Sequence, residues 1–513
     1  MSKNSSTSPR ASGVLLHPTA LPNSPVCGSF GAPAREWLKL LAKNQIGVWQ
    51  FLPIAPTDST GSPYSSPSSF AYNPCFLDVN DLVEEGYLPL SVLQEISKLT
   101  SKENSHFDFK LVNNFSNQLG YFLREYWEHQ HEEKHIEFEA WCLKQYWLED
   151  HVLFIELRKQ FQNLPWWEWP EPFFKKNMNE INTWRKNFET NLLEHRLIQW
   201  HLDRQWQALR LMAKELGVLL LGDLPFYVSR DSADVWSNRS LFSILTNGDL
   251  SLQSGVPPDY FSETGQLWGT PVYRWKKHSS SRFRWWRRRF KRHFEQVDLL
   301  RIDHFRALDS YWAVPGKKET AQDGFWKPSP GRQLLRKLQN DFGEKLPLIA
   351  EDLGVITPSV ERLRDYFYLP GMKILQFAFD GNKDNPYLPE NIHGNSWIVY
   401  TGTHDNATTK GWWNELDQDT KNRLLEIDQT IGESTSWKFI KMGLSTSASL
   451  FIAPIQDLLS LDNNARFNTP GTIKDNWSWR MPTFDENLFE ALSKYRDLSI
   501  SCNRLFKDAK KLL

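Results

Sequence analysis

Short apolar runs recur along the 513-residue chain, each bounded by glycine, proline or polar residues. Runs of this length are typical of strands that are buried on both faces of a parallel sheet. Eight of them fit this pattern, at residues 14–17, 48–53, 218–224, 299–303, 348–352, 374–379, 397–402 and 450–454. Apolar residues at helical spacing follow several runs, at 36–43, 193–215, 332–341 and 359–368. Repeated strand–helix units predict an α/β fold, a closed (β/α)8 barrel of the TIM type.

Two stretches are longer than a crossover between barrel strands requires. The first covers about residues 60–200, where helical spacing over 115–127 and 138–161 predicts an inserted, mainly helical subdomain. The second covers about residues 231–274, before the fourth strand, and is expected to form a second inserted region. The barrel is therefore predicted to carry two large insertions between its strands.

The composition is that of a folded protein without an excess of either charge. Hydrophobic residues make up 40% and charged residues 24% of the chain, and the formal net charge is −1. No long-range field would therefore gather nucleic acid or an anionic membrane surface. One basic run at 282–292 interleaves cations and aromatics, a pattern also found in nucleic-acid binding. Its aromatic residues follow one helix face, so it predicts a packed helix with solvated cations.

Cysteine use and the chain start bear on the compartment. The four cysteines, Cys27, Cys75, Cys142 and Cys502, are too few for a disulfide framework. No apolar stretch approaches the roughly 18 residues that cross a membrane, and no secretion signal is apparent. We expect residues 1–12 to be a disordered tail ahead of one barrel unit, residues 13–513. The expected location is cytoplasmic, with a removed transit peptide as the alternative, and no oligomeric state is predicted.

Acidic side chains stand where several predicted strands end. Asp223, Asp303 and Glu351 lie at the ends of the third, fourth and fifth strands, and Asp405 follows the seventh. Because strand ends and the following loops form the active site of such barrels, these groups are expected to converge. Arg301 lies on the same side of its strand as Asp303 and would hold that carboxylate ionised. A single strand-end acid can instead cap a helix, but a crowded set with ionised and protonated members suits cleavage of a glycosidic bond.

Other chemistries could use such a barrel mouth. His404 could join the carboxylates as a metal ligand, but no tight His-x-x-His or Glu-x-x-His pair occurs among these residues. A nucleophilic serine has weaker support, because no Gly-x-Ser-x-Gly elbow stands at a strand end. Aromatic residues favour a sugar, since the flat C–H faces of sugar rings stack on tryptophan and tyrosine. The chain has 24 tryptophans, and aromatic clusters lie at 62–64, 257–261, 266–269 and 476–480.

Several motifs follow one another in a characteristic order. They lie at 13–19, 222–225, 232–236, 255–261, 301–306, 350–354, 402–406, 469–472 and 476–480. Arg-Ile-Asp-His-Phe-Arg at 301–306 and Gly-Thr-His-Asp-Asn at 402–406 are highly specific in combination. With these motifs, virtually the whole chain after residue 12 resembles glycoside hydrolase family 77. That family contains the 4-alpha-glucanotransferases called amylomaltase or disproportionating enzyme.

The resemblance implies a retaining double displacement that transfers α-1,4-glucan segments to the 4-hydroxyl of an acceptor glucan or glucose. The partners would be α-1,4-glucans, maltooligosaccharides and glucose, and no metal or organic cofactor would be needed. Asp303 would be the nucleophile, Glu351 the acid and base, and Asp405 a stabiliser of the transition state. Residues that would bind substrate are Ser62, Tyr64, Asp223, Asp259, Gln266, Trp268, Arg301, His404 and Asn468. The loop with Asp259, Gln266 and Trp268, in a substrate-loop region at about 231–274, would overhang the cleft. It would keep water from attacking the covalent intermediate in place of the acceptor.

Two other functions would use the same residues. An amylase-like hydrolase would cleave α-1,4-glucans with the same three carboxylates and would raise the number of reducing ends steadily. A catalytically inactive glucan-binding protein would bind without turnover, although the intact set of Asp303, Glu351 and Asp405 argues against it.

Overall fold

The computed structural model describes residues 9–22, 24, 26–98, 106, 109–258 and 262–512. The strands in these ranges are β1 (Ala11–Leu15), β2 (Val48–Gln50), β3 (Leu219–Leu224), β4 (Leu252–Val256), β5 (Gln266–Pro271), β6 (Leu299–Ile302), β7 (Ser310–Pro315), β8 (Phe325–Pro328), β9 (Leu348–Ala350), β10 (Gly371–Ile374), β11 (Trp397–Tyr400) and β12 (Leu450–Pro454). The α-helices are α1 (Ala32–Lys43), α2 (Val79–Glu84), α3 (Leu90–Ser97), α4 (Phe109–Trp127), α5 (Glu132–Lys144), α6 (Leu148–Gln160), α7 (Glu171–Phe174), α8 (Met178–Leu216), α9 (Ala233–Ser237), α10 (Trp275–Ser280), α11 (Arg284–Phe294), α12 (Gly331–Phe342), α13 (Pro358–Tyr366), α14 (Thr409–Glu415), α15 (Gln418–Ile427), α16 (Thr435–Ser445), α17 (Ile455–Leu458) and α18 (Glu486–Ser501).

Eight parallel strands form one sheet, in the order β10-β11-β12-β1-β2-β3-β6-β9. Its two end strands also meet, because the backbone N–H of Ala350 in β9 donates to the carbonyl of Pro370, directly before β10, over 2.9 Å. The sheet therefore closes on itself, and the predicted (β/α)8 barrel is confirmed. All residues of β1, β3, β6 and β12 are buried, as expected for strands between a packed interior and a ring of helices.

The sixth barrel strand lies earlier in the chain than predicted. The apolar pattern predicts it at 374–379, whereas β10 ends at Ile374 and is followed by a 3-10 helix, Leu375–Phe377. Lys373 hides the strand because it interrupts the apolar run. Its ammonium group lies 4.2 Å from the ring centre of Trp397 in β11, so the side chain covers the neighbouring strand.

The first barrel strand includes the end of the expected tail. Ala11 and Ser12 pair with Leu450 and Phe451 of β12, and both are buried. The barrel therefore begins two residues before the predicted boundary of 13, because backbone pairing rather than side-chain polarity decides where a strand starts. Residues 1–8 of the expected tail lie outside the described residues.

Helices α2–α8 lie between β2 and β3, in the region of the first long insertion. The pattern over 138–161 predicts continuous helical packing, but the structure has two helices there, α5 and α6, with a break at residues 145–147. The break buries Trp147, whose ring centre lies 5.2 Å from the guanidinium carbon of Arg292 in α11. Burial of this large ring therefore overrides continuation of the helix.

The helix α8 returns the chain to the barrel over 39 residues. Its Trp206 is buried and donates its indole N–H to the carbonyl of Gln296, just before β6, over 2.9 Å. The helix ends at Leu216, and the next residue, Gly217, has a left-handed φ of 81°, which suits a residue without a side chain. One buried apolar cluster thus includes residues of both the helical insertion and the barrel.

A second, antiparallel sheet has the strand order β5-β4-β7-β8 and is called the roof sheet below. Its strands β4 and β5 precede β6 in the chain, whereas β7 begins at Ser310, shortly after the turn that follows β6. Gly255 of β4 pairs with Leu267 of β5 and with Trp312 of β7. The roof sheet is therefore attached to the carboxyl end of β6.

The basic run forms a packed helix, α11, but two of its cations are not solvated. Arg289 is 1% exposed and donates to the carbonyls of Pro225 and Phe226. Arg292 is 3% exposed and contacts Asp203 at 3.0 Å. The expectation of solvated cations is wrong for these two, because backbone carbonyls and a carboxylate replace water around them. Among the described residues, no helix has the length and hydropathy needed to span a membrane.

Candidate active site

The barrel brings the predicted acids to one rim. Asp223 is the penultimate residue of β3, and Asp303 and Glu351 directly follow the neighbouring strands β6 and β9. Hydrogen bonds continue past the strand ends: the N–H of Asp303 donates to Leu224 over 3.0 Å, and that of Glu351 donates to Ile302 over 3.1 Å. The backbones of these acids are therefore fixed by the sheet itself.

Arg301 in β6 joins two of these carboxylates. Its Nη1 donates to both oxygens of Asp223, at 2.6 and 2.8 Å, and its Nη2 lies 3.0 Å from Oδ1 of Asp303. The hydroxyl of Tyr64 also donates to Asp223, over 2.8 Å. Both oxygens of Asp223 are thus occupied and its side chain is 0% exposed, so it orients Arg301 and Tyr64. The side chain of Asp303 is 32% exposed and remains accessible from the cleft.

Glu351 is held by backbone groups. Its Oε2 accepts the N–H of His304 over 2.7 Å, and its Oε1 accepts the N–H of Leu353 over 3.1 Å. Among the residues that the structure describes, no lysine, arginine or histidine forms a salt bridge with this carboxyl group. Glu351 therefore lacks the direct cation contact that Asp303 has.

The electrostatics distinguish these two acids. Burial raises the pKa of Asp303, and Asp223, Glu351 and Asp405 raise it further, whereas Arg301 lowers it. Burial also raises the pKa of Glu351, with Arg301 and two backbone N–H groups opposing the rise. Crowded carboxylates of this kind share protons. Arg301 contacts Asp303 directly and does not contact Glu351, so of the two carboxyl groups Asp303 receives the stronger stabilisation of its ionised form from this cation.

Asp405 lies in the loop after β11, a strand that stands opposite β3 in the closed ring. Its Oδ1 accepts the amide N–H of Asn468 over 2.6 Å and lies 3.3 Å from Nε2 of His404. Its side chain is 46% exposed. Arg466 donates to the carbonyl oxygen of Asp405 over 2.6 Å and to that of Asn468 over 2.8 Å. Arg466 was not among the predicted site residues, because its contacts are with backbone carbonyls that only the folded loop supplies.

Tyr64 connects the two sides of the site. Its ring is stacked on that of His404, with centroids 5.3 Å apart and planes 13° apart, while its hydroxyl reaches Asp223. Ser62 accepts the backbone N–H of Tyr64 over 3.3 Å, so it supports the turn that presents the ring. Burial raises the pKa of Tyr64 well above its ordinary value, so the hydroxyl keeps its proton and remains a donor.

Gln266 and Trp268 lie on β5 of the roof sheet. The indole N–H of Trp268 donates to the Gln266 side chain over 3.2 Å, and its ring meets that of His304 edge-on at 4.9 Å. His304 directly follows Asp303, so the roof sheet contacts the turn that holds the predicted nucleophile. His304 was not among the predicted site residues, although its place in the motif at 301–306 was a usable signal. Asp259 lies outside the described residues.

The structure therefore joins the predicted residues by direct contacts. Asp223, Arg301, Asp303 and Tyr64 form one network, which reaches His404, Asp405 and Asn468 through the stacked rings. The backbone and ring of His304 connect Glu351 with Trp268. Within the described ranges, no group of three or more His, Cys, Asp or Glu side chains is arranged to hold a metal ion.

The family model of glycoside hydrolase family 77, described as 4-alpha-glucanotransferase, matches residues 16–485. The chain belongs to this family. The family predicted from the motifs is thereby confirmed, and the chain is a 4-alpha-glucanotransferase, an enzyme that transfers α-1,4-glucan segments. The family is known to act on α-1,4-glucans, which agrees with a rim of acids and aromatic rings.

Relatives of this glucanotransferase match it over most of their length. A 4-alpha-glucanotransferase of Synechocystis sp. is 40% identical over 475 residues, which cover 92% of this chain and 94% of the relative. One from Thermus thermophilus is also 40% identical, covering 92% of this chain and 95% of the relative. The solved amylomaltase of Streptococcus agalactiae, in complex with acarbose, superposes with a TM-score of 0.91 at 31% identity, covering 97% of this chain and 100% of that one.

Proposed function

We propose that this glucanotransferase disproportionates maltooligosaccharides, with Asp303 as nucleophile, Glu351 as acid and base, and Asp405 as stabiliser of the transition state. The observation that carries the assignment is the contrast between two neighbouring carboxyl groups. Asp303 has a guanidinium at 3.0 Å, whereas Glu351 is held by backbone N–H groups. An ionised and a protonated carboxyl group on either side of one linkage can break it in two steps.

In the first step, the Asp303 carboxylate attacks the anomeric carbon of a donor glucan. The bond from that carbon to the bridging oxygen breaks as a bond to Asp303 forms, and Glu351 gives its proton to the departing oxygen. Asp405 and His404 bind hydroxyls of the same sugar, and the negative charge of Asp405 opposes the positive charge that develops on the ring. Tyr64 provides a flat surface for that sugar.

In the second step, the 4-hydroxyl of an acceptor attacks the anomeric carbon. Glu351, now ionised, takes the proton of that hydroxyl, and the bond between the sugar and Asp303 breaks. Two successive inversions leave the new linkage with the original α configuration. The proton on Glu351 and the negative charge on Asp303 are both restored, so no metal or organic cofactor enters the proposed cycle.

Transfer requires that an acceptor hydroxyl, rather than water, attack the covalent intermediate. Water greatly outnumbers sugar in solution, so the acceptor has to be bound next to Glu351. Water also has to be kept from attacking the intermediate. Gln266 and Trp268 on the roof sheet are suited to this task, because they are joined by a hydrogen bond and the ring of Trp268 contacts His304 beside the acids. We assign them the shielding of the intermediate.

Incubation of the purified enzyme with maltotriose tests this function. We expect glucose and longer maltooligosaccharides to appear together, with little net gain of reducing ends. A steady rise of reducing ends would identify a hydrolase. A lack of turnover, equal in the wild-type protein and the Asp303→Asn variant, would identify a glucan-binding protein.

We also propose that the enzyme works in a reducing compartment, the cytoplasm. Its four cysteines are all free in the structure, two of them buried, and none forms a disulfide. Fractionation of the native host, with the activity assayed in each fraction, tests the location. Activity in an oxidising extracellular fraction would contradict it.

A further inference from the structure

His304 contacts both the roof sheet and the proposed acid. It follows Asp303 and has a left-handed backbone, with φ 51° and ψ 48°. This conformation is uncommon for a residue with a side chain, and such outliers cluster at active sites. The conformation directs two successive backbone N–H groups at Glu351: His304 donates to Oε2 over 2.7 Å, and Phe305 donates to the carbonyl over 3.1 Å.

The His304 ring supports the roof sheet. It meets the indole of Trp268 edge-on, with centroids 4.9 Å apart and an angle of 87°, and lies 6.3 Å from the ring of Tyr227. Trp268 and Tyr227 are themselves 6.0 Å apart, so the three rings form one cluster. Burial and the nearby Arg306 lower the pKa of His304 to about 3. The ring is therefore neutral in ordinary buffers, and its contact with Trp268 is aromatic packing rather than a cation–π interaction.

Trp268 is 37% exposed, and among the described residues its ring meets those of His304 and Tyr227. Its hydrogen bond to Gln266 lies within the same strand, so it does not fix the strand relative to the barrel. Its contact with His304 joins this indole to the turn of the proposed nucleophile. The rings of His304 and Tyr227 thus support Trp268 from the barrel side, and the His304 ring is the one attached to the proposed acid.

We propose that His304 is a positioning residue that couples the roof sheet to the proposed acid. Its ring sets the place of Trp268, and its backbone N–H sets the direction in which Glu351 presents its proton. The inference rests on the proposed transfer reaction and adds to it the residue that ties acceptor shielding to proton transfer. Because Trp268 and Glu351 are both positioned by His304, the space between them keeps the dimensions that an acceptor sugar hydroxyl needs.

The test is a double-mutant cycle with His304→Asn, Trp268→Ala and the double variant. Asparagine tolerates a left-handed backbone, so the first substitution removes the ring and keeps the N–H that holds Glu351. The readouts are the ratio of transfer to hydrolysis from maltotriose and kcat/KM for its consumption. We expect each single substitution to lower the ratio about two- to tenfold, the range given by the loss of one aromatic pair. The double variant should then fall no further than Trp268→Ala alone.

Trp326→Ala is the matched control. Trp326 is also an exposed tryptophan of the roof sheet, on β8, and its ring packs on Trp312 and on the guanidinium of Arg306. Its removal should leave the ratio of transfer to hydrolysis unchanged. Melting temperatures of all variants show whether an effect comes from general destabilisation.

Three results would overturn the coupling: an unchanged ratio in His304→Asn, a double variant whose loss is the product of the single losses, or an equal loss in Trp326→Ala. Failure of the proposed function looks different. If the wild-type enzyme only raises the number of reducing ends, the proposed transfer reaction is wrong. The coupling is then tested by the double-mutant cycle in kcat/KM alone. Multiplicative losses in kcat/KM would again reject the coupling.

Discussion

At the scale of single residues, the site depends on one cation among four acids. Arg301 contacts Asp223 and Asp303. Burial lowers the pKa of Arg301, but Asp223, Asp303, Tyr64 and Glu351 outweigh it and hold that pKa well above its ordinary value. A guanidinium stays charged under all conditions of interest, which makes it a suitable fixed partner for a nucleophile. Asp223 in turn fixes Arg301. Asp303 and Glu351 thus differ because Asp303 contacts a guanidinium, whereas Glu351 contacts backbone N–H groups.

Glu351→Gln should remove acid catalysis selectively. We expect the rate of transfer from maltotriose to fall about 10²- to 10⁴-fold, because an amide cannot protonate the departing oxygen. Transfer from an α-glucosyl fluoride should fall far less, since fluoride departs with little protonation. Parallel rate measurements with both donors decide this, and equal losses would mean that Glu351 is not the acid.

Asp223→Asn should shift the pH profile in a direction that can be derived. Asp223 raises the pKa of Asp303, so its neutralisation lowers that pKa. The nucleophile must be ionised, so the acid limb of the kcat/KM profile should move to lower pH, while the maximal rate falls because Arg301 is less firmly oriented. Tyr64→Phe is the control, since it removes the hydrogen bond to Asp223 without changing charge. A shift of the acid limb to higher pH would refute the charge argument.

At the scale of elements, apolar patterning predicts strands well where burial is uniform. The runs before Asp303 and Glu351 correspond to β6 and β9 because both faces of these strands are buried. The pattern fails where a side chain's contact with a neighbouring element outweighs the local periodicity. Lys373 conceals β10 by covering Trp397, and the buried Trp147 divides a continuous helical pattern.

The same reasoning applies to α11 and yields a stability prediction. Arg292 is buried against Asp203 and donates to the carbonyl of Phe70. Arg292→Met should lower the free energy of unfolding by about 3 kcal/mol, because it leaves a largely buried carboxylate without its cation and the carbonyl of Phe70 without this donor. Denaturation by urea, followed by circular dichroism, measures the change.

Arg288→Met is the comparison for that experiment. Arg288 lies on the same helix but is exposed, and its guanidinium lies over the ring of Tyr146. Its replacement should change the free energy of unfolding by less than about 1 kcal/mol. Equal effects of the two substitutions would show that burial of Arg292 does not matter for stability.

At the scale of the whole molecule, the sequence predicts which residues meet but not the backbone hydrogen bonds that fix their positions. Acids at strand ends must converge once the barrel is inferred, so Asp303 and Glu351 could be placed without coordinates. His304 and Arg466 could not be given their roles in this way. Both act through backbone groups, and those interactions exist only after loops distant in sequence have come together.

The near-neutral charge of the chain predicts weak dependence on salt. With a formal net charge of −1 and an uncharged glucan substrate, no electrostatic steering contributes to association. We expect kcat/KM for maltotriose to change less than about twofold between about 0.02 and 0.5 M NaCl. Initial rates at several salt concentrations check this. A steep decline would contradict this prediction and would indicate that turnover of maltotriose depends on a salt-sensitive charged contact within the enzyme.

The position of β1 has a consequence for biosynthesis. This strand lies between β2 and β12, so the barrel cannot close until residues near 450 have been synthesised. Throughout most of translation, the start of the chain presents an open strand edge to the cell, and such edges readily pair with other chains. Chaperone demand should therefore be highest late in translation and should drop once the final barrel strand has left the ribosome.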